Sequence, residues 1–310
     1  MAGASAGAAT RGHYTYFGVF GDSLSDDGNL FEADAGLYPP SPPYFDGRFS
    51  NGPVWAEGVA AEFEGKGLDA DNFAFGAARA LPTDKNTPVP PELDFDVPDL
   101  PDQIATFAAS GATLGARPVA SLFFGANDII FNGLPILDPI GVAVAAANAV
   151  ADGALTLAGF GVSDFVIFNL PDLGRTPLFS LYQPGAAPFA SAATVAFNAT
   201  LDGRVDGLRA GGLNVVEIDM YALLNEMFDD PAAFGVTDVT QPCLPPGTLI
   251  ACIDDDQTDR AFFDSIHPNF VIHDRIAGIV SAQVAPVPLP ASALLLLAGI
   301  AGLVGFRRRA

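Results

Sequence analysis

Short apolar runs alternate with longer amphipathic segments along most of this chain. The runs are rich in aromatic and β-branched residues and end in polar or glycine-containing turns, which predicts buried strands at residues 15–20, 119–124, 165–169 and 214–218. Apolar positions at helical spacing predict helices at residues 56–63, 103–109, 142–158, 192–208 and 221–228. Because strands and helices alternate, the pattern favours an α/β fold whose parallel sheet is covered by helices on both faces.

The composition is that of a globular protein with a substantial core. Half of the residues are hydrophobic and 16% are charged, which excludes a disordered chain. Asp and Glu outnumber Lys and Arg by 36 to 14, giving a net charge of −22 that would repel a phosphate backbone, so we expect no nucleic-acid partner. Residues 37–53 and 81–101 form long proline-rich loops, and long loops in compact domains are commonly functional.

The two cysteines, Cys243 and Cys252, lie nine positions apart, which does not match the Cys-x-x-Cys spacing of metal or redox sites. An oxidising compartment would allow a disulfide between them, and a reducing one would leave them free. The sequence leaves both states open.

The C-terminus carries a candidate membrane segment. Residues 291–306 are an apolar run without a charged residue, between a Val-Pro-Leu-Pro-Ala motif at 287–291 and three arginines at 307–309. A buried helix is the alternative, but it should show a polar face and this run has none. The length is marginal for a bilayer, and the arginines would stay on the cytoplasmic side.

The order of motif, apolar span and arginine cluster resembles the bacterial PEP-CTERM sorting signals in their Val-Pro-Leu-Pro-Ala variant. The resemblance implies export, attachment to the membrane through the tail and cleavage by an exosortase-type sorting protease. Residues 1–12 contain no apolar leader, so we expect a signal peptide to be encoded upstream.

A serine directly follows the first predicted strand, in Gly-Asp-Ser-Leu-Ser at 21–25. A strand-to-helix turn projects a side chain from the carboxyl edge of a parallel sheet, where ligands bind in open α/β folds. Ser23 is therefore a candidate nucleophile, and a helix N-cap is the alternative interpretation.

A base for that serine is present near the end of the chain. Asp264 precedes His267 by three residues, and on a helical turn this spacing brings the carboxylate beside Nδ1 and leaves Nε2 free to deprotonate a hydroxyl. We expect His13 and His273 to be structural, with His273 on a helix that follows His267.

Two further segments could stabilise a developing negative charge. Gly76 ends Asn-Phe-Ala-Phe-Gly at 72–76, where the backbone can approach a ligand closely. Asn127, in Gly-Ala-Asn-Asp at 125–128, follows a strand expected to end beside the first, and its amide is a neutral donor.

The segments 21–25, 72–76, 125–128 and 264–267, in this order, resemble the four sequence motifs of the GDSL or SGNH hydrolases. The resemblance is greatest to the bacterial lipase and esterase group with lecithinase- and haemolysin-like members. The resemblance covers roughly residues 14–283 and implies a three-layer α/β/α sandwich with a flavodoxin-like parallel sheet. Residues 1–13 would then be an unstructured segment and 284–310 the sorting tail. Relatives often have Gly-Gly where this chain has Gly76-Ala77.

Carried onto this sequence, the resemblance makes Ser23 the nucleophile, His267 the base and Asp264 its orienting partner. The backbone amides of Ser23 and Gly76 and the side chain of Asn127 become the oxyanion donors. It implies hydrolysis of carboxylic esters or lipids through an acyl-enzyme, without a cofactor or metal. Carbohydrate deacetylation and acyl transfer to a lipid remain open on the same fold, as does a surface-binding protein without turnover.

Overall fold

The computed structural model describes residues 14–82, 96–133, 138–252 and 259–284. The N-terminal segment 1–13, which includes His13, and the apolar run 291–306 lie outside these residues, so the sorting tail remains an expectation from sequence.

Five parallel strands form one sheet in the order β2-β1-β3-β4-β5, which is the flavodoxin-like order. The strands are β1 (Tyr16–Gly21), β2 (Asp69–Asn72), β3 (Pro118–Phe123), β4 (Asp164–Phe168) and β5 (Asn214–Ile218). Every residue of β1, β3 and β4 is buried, as expected for strands covered on both faces. The four predicted strands are confirmed, and β2 is an addition.

Strand β2 escaped prediction because its sequence is Asp-Ala-Asp-Asn, with exposed and half-buried positions in alternation. It lies at the sheet edge and pairs with β1 from Tyr16 opposite Asp69 to Val19 opposite Asn72. Backbone pairing with β1 forms this strand, since its own side chains offer little apolar surface.

Seven helices flank the sheet within the described residues. They are α1 (Asn29–Ala33), α2 (Trp55–Glu64), α3 (Leu100–Ser110), α4 (Pro139–Gly159), α5 (Ala187–Ala210), α6 (Met220–Asp229) and α7 (Phe270–Val284). Helices α3, α4 and α5 pack side by side, whereas α2 packs on α7, so the sheet lies between two helical layers. The three-layer α/β/α sandwich predicted from the sequence is confirmed.

Helix α4 alone among the described helices has the length and hydropathy to cross a membrane. It packs against α3 and α5 and buries a row of alanines that includes Ala143, Ala147 and Ala154. This burial identifies α4 as a core helix of the sandwich.

The strand order places a topological switch point between β1 and β3, because the chain leaves these neighbours towards opposite sides of the sheet. Ligands of open α/β sheets bind at the carboxyl ends of the strands at such a point. Ser23 follows β1 and Asn127 follows β3, so both lie at this place.

Candidate active site

Ser23 sits on a tight turn at the carboxyl end of β1. The backbone N–H groups of Ser25 and Asp26 donate to the Asp22 carbonyl, and the N–H of Leu24 donates to Asp22 Oδ1 at 3.0 Å. Gly21 is required here because a Cβ at this position would lie 2.7 Å from Ser25 Oγ. The turn therefore holds Ser23 in one orientation at the sheet edge, where the residue is only 7% exposed.

Three side chains at this edge form a continuous hydrogen-bonded chain. Ser23 Oγ lies 2.8 Å from His267 Nε2, and His267 Nδ1 lies 2.6 Å from Asp264 Oδ2. All three residues are buried, although the serine and the histidine are 244 positions apart. The arrangement leaves Nε2 placed to take the serine proton while the carboxylate faces the other ring nitrogen.

The backbone around Asp264 explains why a spacing of three residues places the carboxylate beside the imidazole. Asp264 Oδ1 accepts hydrogen bonds from the N–H groups of Ile266 at 2.9 Å and His267 at 2.8 Å, which close a turn. Helix α7 begins only at Phe270, so this turn precedes the helix. The other carboxylate oxygen is left for the imidazole.

Tyr44 completes the surroundings of Asp264. Its hydroxyl donates to Asp264 Oδ2 at 2.6 Å, and its ring packs against Phe49 and Phe263. The ring of Phe49 in turn lies 5.1 Å from the ring of His267. Nothing in the sequence around Tyr44 identified it, because it lies in a proline-rich loop 220 positions away from its partner.

The hydrogen bonds at Asp264 keep it ionised. Burial on its own raises the pKa of Asp264, but the nearby His267 and the donors from His267, Tyr44 and Ile266 outweigh it and hold the pKa below its usual value. Burial and the adjacent Asp264 carboxylate raise the pKa of Tyr44, so its hydroxyl stays protonated and donates. Asp264 is thus a carboxylate beside the imidazole.

Within the described part of the chain, hydrogen-bond donors without an acceptor are present on the turn of Ser23 and on Asn127. The Ser23 N–H has no acceptor among the described residues. Asn127 is 4% exposed, and its amide nitrogen donates to the carbonyl of Ala78 at 2.9 Å, which uses one of its two hydrogens. That bond orients the amide and leaves a second hydrogen for a ligand.

The structure corrects the expectation for Gly76. Its N–H donates to the buried Asp26 carboxylate at 2.7 Å and is not available to a substrate. The glycine is needed for space instead, since a Cβ would lie 2.3 Å from the Phe49 ring. The next N–H, that of Ala77, has no acceptor within the described chain, and Ala77 adopts a φ of 65° that turns its peptide.

Asp26 ties the serine turn to the loop that carries Ala77. Besides the N–H of Gly76, its carboxylate accepts the N–H groups of Gly28, Asn29 and Leu30 at the start of α1. Burial raises the pKa of Asp26 to about 6, against the lowering effect of these four donors. One carboxylate thereby fixes the distance between the nucleophile turn and the donor loop.

Further buried carboxyl groups lie beside the site. Burial raises the pKa of Asp22 to about 7, and it raises the pKa of Asp128 to about 6 while the latter accepts from the N–H groups of Ala80 and Leu81. These groups bind protons under mildly acidic conditions, where an exposed carboxyl group would not.

His273 is structural, as expected. Its Nδ1 accepts the backbone N–H of Trp55 at 3.3 Å and so joins α7 to α2. Burial and the nearby His267 lower the pKa of His273 to about 3, so the ring is neutral. The histidine that contacts Ser23 is His267.

Cys243 and Cys252 form a disulfide. The sequence alone leaves open whether they are bonded or free. The backbone N–H groups of Cys243 and Leu244 donate to the carbonyls of Phe262 and Phe263, directly before Asp264. The disulfide loop therefore packs against the segment that carries Asp264 and His267.

Comparisons with known proteins identify the family of this chain. The profile of the GDSL-like lipase/acylhydrolase family matches residues 17–279. A phosphatidylcholine-sterol acyltransferase of Aeromonas hydrophila is 32% identical over 76% of this chain and 67% of its own length, and a thermolabile hemolysin of Vibrio parahaemolyticus is 26% identical over 73% and 50%. The chain thus spans about two thirds of the first relative and half of the second.

Among solved structures, a carbohydrate acetylesterase from Sinorhizobium meliloti aligns with 86% of this chain and 98% of its own, at 15% identity and a TM-score of 0.47. The matched profile covers the strands, the serine turn and the Asp264–His267 turn together. The chain therefore belongs to the GDSL-like lipase/acylhydrolase family and is an enzyme that acts on esters.

Proposed function

We propose that this protein is a carboxylic ester hydrolase of the esterase or lipase type that works through an acyl-enzyme on Ser23. The observation that carries the proposal is the 2.8 Å contact between Ser23 Oγ and His267 Nε2, with Asp264 on the far side of the ring. A buried serine next to an imidazole that is itself oriented by a carboxylate is the arrangement of an activated nucleophile.

Acylation follows from these positions. Ser23 Oγ attacks the ester carbonyl carbon and its proton passes to His267 Nε2, while Asp264 stabilises the resulting imidazolium. The carbonyl oxygen takes up the negative charge, which the N–H groups of Ser23 and Ala77 and the Asn127 amide receive. When the tetrahedral intermediate collapses, the C–O bond to the alcohol breaks and His267 returns the proton to the leaving oxygen.

Deacylation repeats the same steps with water. His267 Nε2 takes a proton from a water molecule, whose oxygen attacks the acyl carbon, and the bond to Ser23 Oγ then breaks as the serine recovers a proton. The products are a carboxylic acid, an alcohol and the free enzyme.

Removal of the nucleophile tests the proposal. Ser23→Ala should abolish both the hydrolysis of a short-chain p-nitrophenyl ester and covalent labelling by a fluorophosphonate, whereas Ser110→Ala at the end of α3 should leave both unchanged. A Ser23→Ala protein that hydrolyses the ester at the parental rate would overturn the assignment. A parental protein that neither turns over ester nor accepts the probe would instead favour a binding protein on this fold.

Acyl transfer is the second candidate, because the relative from Aeromonas hydrophila is named as an acyltransferase. In that reaction an alcohol replaces water in the second half of the cycle, with the same proton transfers. Product analysis of a lecithin substrate, with and without a sterol acceptor, separates the two. A sterol ester as main product would favour transfer, and free fatty acid would favour hydrolysis.

We further propose that the protein is exported and is sorted through residues 284–310. The Val-Pro-Leu-Pro-Ala motif, the apolar run and the arginines support the proposal, as does the Cys243–Cys252 disulfide, which is typical of oxidising compartments. The mass of the mature protein in cell-envelope and medium fractions tests it. Cleavage near residue 290 is expected, and an intact chain found in the cytoplasm would contradict the proposal.

A further inference from the structure

Four segments around the candidate site contain no charged residue. They are 35–45, 129–133, 176–186 and 239–252, and we call them together the uncharged rim. None contains Asp, Glu, Lys or Arg, although 16% of the chain is charged and the net charge is −22. This surface therefore differs in charge from the rest of the protein.

Hydrogen bonds join three of these segments to the turn around Asp264. Tyr44 of the first donates to the Asp264 carboxylate at 2.6 Å, Leu178 of the third donates its N–H to the Ser265 carbonyl at 2.7 Å, and Leu244 of the fourth donates to Phe263 at 2.6 Å. The remaining segment, 129–133, follows Asn127 and Asp128 directly. All four thus adjoin the segments that carry Asp264 or Asn127.

The uncharged rim exposes large apolar side chains to solvent. Leu249 and Ile250, in the loop closed by the disulfide, are 67% and 70% exposed. The other exposed apolar residues of the rim are Leu37, Phe45, Phe131, Leu181 and Tyr182. Exposed apolar side chains grouped around a site mark a surface that meets another apolar phase.

We propose that the uncharged rim docks onto a zwitterionic lipid surface and presents the ester bonds of that surface to Ser23. The assignment of that lipid as substrate depends on the proposed ester hydrolysis, whereas the docking can be measured without it. Apolar side chains on a loop enter the interfacial layer of a bilayer and gain free energy in proportion to the apolar area they bury.

The charge distribution selects the kind of surface. An anionic lipid is recognised by clustered Lys and Arg, and the rim has none. The acidic remainder of the protein would be repelled by anionic headgroups, whereas a zwitterionic surface carries no net charge. Phosphatidylcholine vesicles are therefore the appropriate probe.

The test places an environment-sensitive fluorophore on the rim of the full chain. Leu249→Cys is labelled in one protein, and Leu155→Cys is labelled in a matched control. Leu155 is 50% exposed but lies near the end of α4, at the opposite edge of the sheet. Both proteins keep residues 285–310, so a difference between the two labels reports the position of the rim itself.

We expect phosphatidylcholine vesicles to increase and blue-shift the emission of the label at 249 several-fold, in low and high salt alike, and to leave the label at 155 unchanged. Addition of Leu181→Gln and Ile250→Gln to the chain labelled at 249 should weaken its apparent vesicle affinity roughly tenfold. The rate on a soluble p-nitrophenyl ester should stay within twofold in every variant, which shows that they are folded.

Equal responses from both labels, or none from either, would overturn the docking proposal. An emission increase at 249 that needs only a higher protein concentration and no vesicles would also overturn it, because it would identify a second copy of the chain as the partner. Loss of the proposed function gives a different result: the label at 249 responds to vesicles, but the parental protein hydrolyses neither soluble nor lipid ester.

Discussion

Tyr44 donates its hydroxyl hydrogen to Asp264 at 2.6 Å, on the same oxygen that faces the imidazole of His267. The second oxygen of Asp264 accepts two backbone N–H groups, so the carboxylate receives four hydrogen bonds in all. A carboxylate held in this way cannot rotate, and it fixes the plane of the imidazole that contacts Ser23. Tyr44 therefore acts on the nucleophile through two other side chains.

Tyr44→Phe removes this hydroxyl and keeps the ring between Phe49 and Phe263. We expect kcat/KM for a soluble ester to fall about tenfold, the scale of one hydrogen bond to a charged group. Because the Tyr44 hydroxyl lowers the pKa of Asp264, its loss should raise that pKa, so the acid limb of the kcat/KM profile should move to higher pH.

The control for this change is Tyr182→Phe, which alters an exposed tyrosine in the same way. A Tyr44→Phe protein with lower stability but an unshifted pH profile would show that Tyr44 serves only to pack the loop.

Asn127→Ala should lower kcat about a hundredfold, or ~3 kcal/mol of transition-state stabilisation, with little change in KM. The reason is that the free amide hydrogen of Asn127 is placed to meet charge that develops only during the reaction. Steady-state kinetics with a p-nitrophenyl ester measure the effect, and Asn148→Ala on α4 is the matched control. A change confined to KM would contradict a role as an oxyanion donor.

Ala77→Gly should raise the free energy of unfolding by about 0.5–1 kcal/mol, because an L-residue at a φ of 65° is strained and glycine is not. The N–H is retained, so kcat should stay within a few-fold of the parent. Urea unfolding measures the stability. Ala105→Gly in the exposed middle of α3 should instead destabilise by about 1 kcal/mol, and equal losses at both positions would contradict the prediction.

Stability should fall as the pH rises from ~4 to ~7. Burial raises the pKa of Asp22 to about 7 from an ordinary value of 3.8, so the folded state binds more protons than the unfolded state between these values. Asp26 and Asp128, whose pKa values burial raises to about 6, act in the same direction. The low pKa of Asp264 contributes stability that is lost only below 3.8, outside this window.

Asp22→Asn tests the largest of these shifts. It should flatten the dependence of the melting temperature on pH between ~4 and ~7, where the folded state of the parent keeps a proton on Asp22 that the unfolded state loses. Asp202→Asn makes the same change in net charge at an exposed position and should leave the slope unchanged. Equal slopes in both variants would assign the pH dependence to the overall charge.

The sequence predicted the core of the sheet well, because β1, β3, β4 and β5 are each a distinct apolar or β-branched run. It predicted the helices too short at their starts. Apolar spacing marks only the buried face of a helix, and α3 and α4 begin earlier than their predicted starts. Both helices begin directly after an aspartate N-cap, Asp99 or Asp138, and both have a proline in the first turn. Attention to capping residues would have corrected these starts.

Sequence spacing predicted those contacts of the site that form within a single turn. Three residues between Asp264 and His267 suffice to predict their contact, since a single turn forms it. Local spacing failed to distinguish Gly76 from Ala77. Asp26, some 50 positions away, accepts the N–H of Gly76 and leaves that of Ala77 free among the residues that the structure describes. Tyr44 could not be found for the same reason. Its hydrogen bond to Asp264 joins residues 220 positions apart and forms only in the folded protein.

The 244 positions between Ser23 and His267 also have a consequence for biosynthesis. A chain made from its amino end presents the serine long before its base exists, and α7 must dock on α2 to complete the fold. Every nascent or truncated chain that ends before residue 267 therefore contains the serine but lacks its base. The contact between the serine and its base can form only when translation has almost finished.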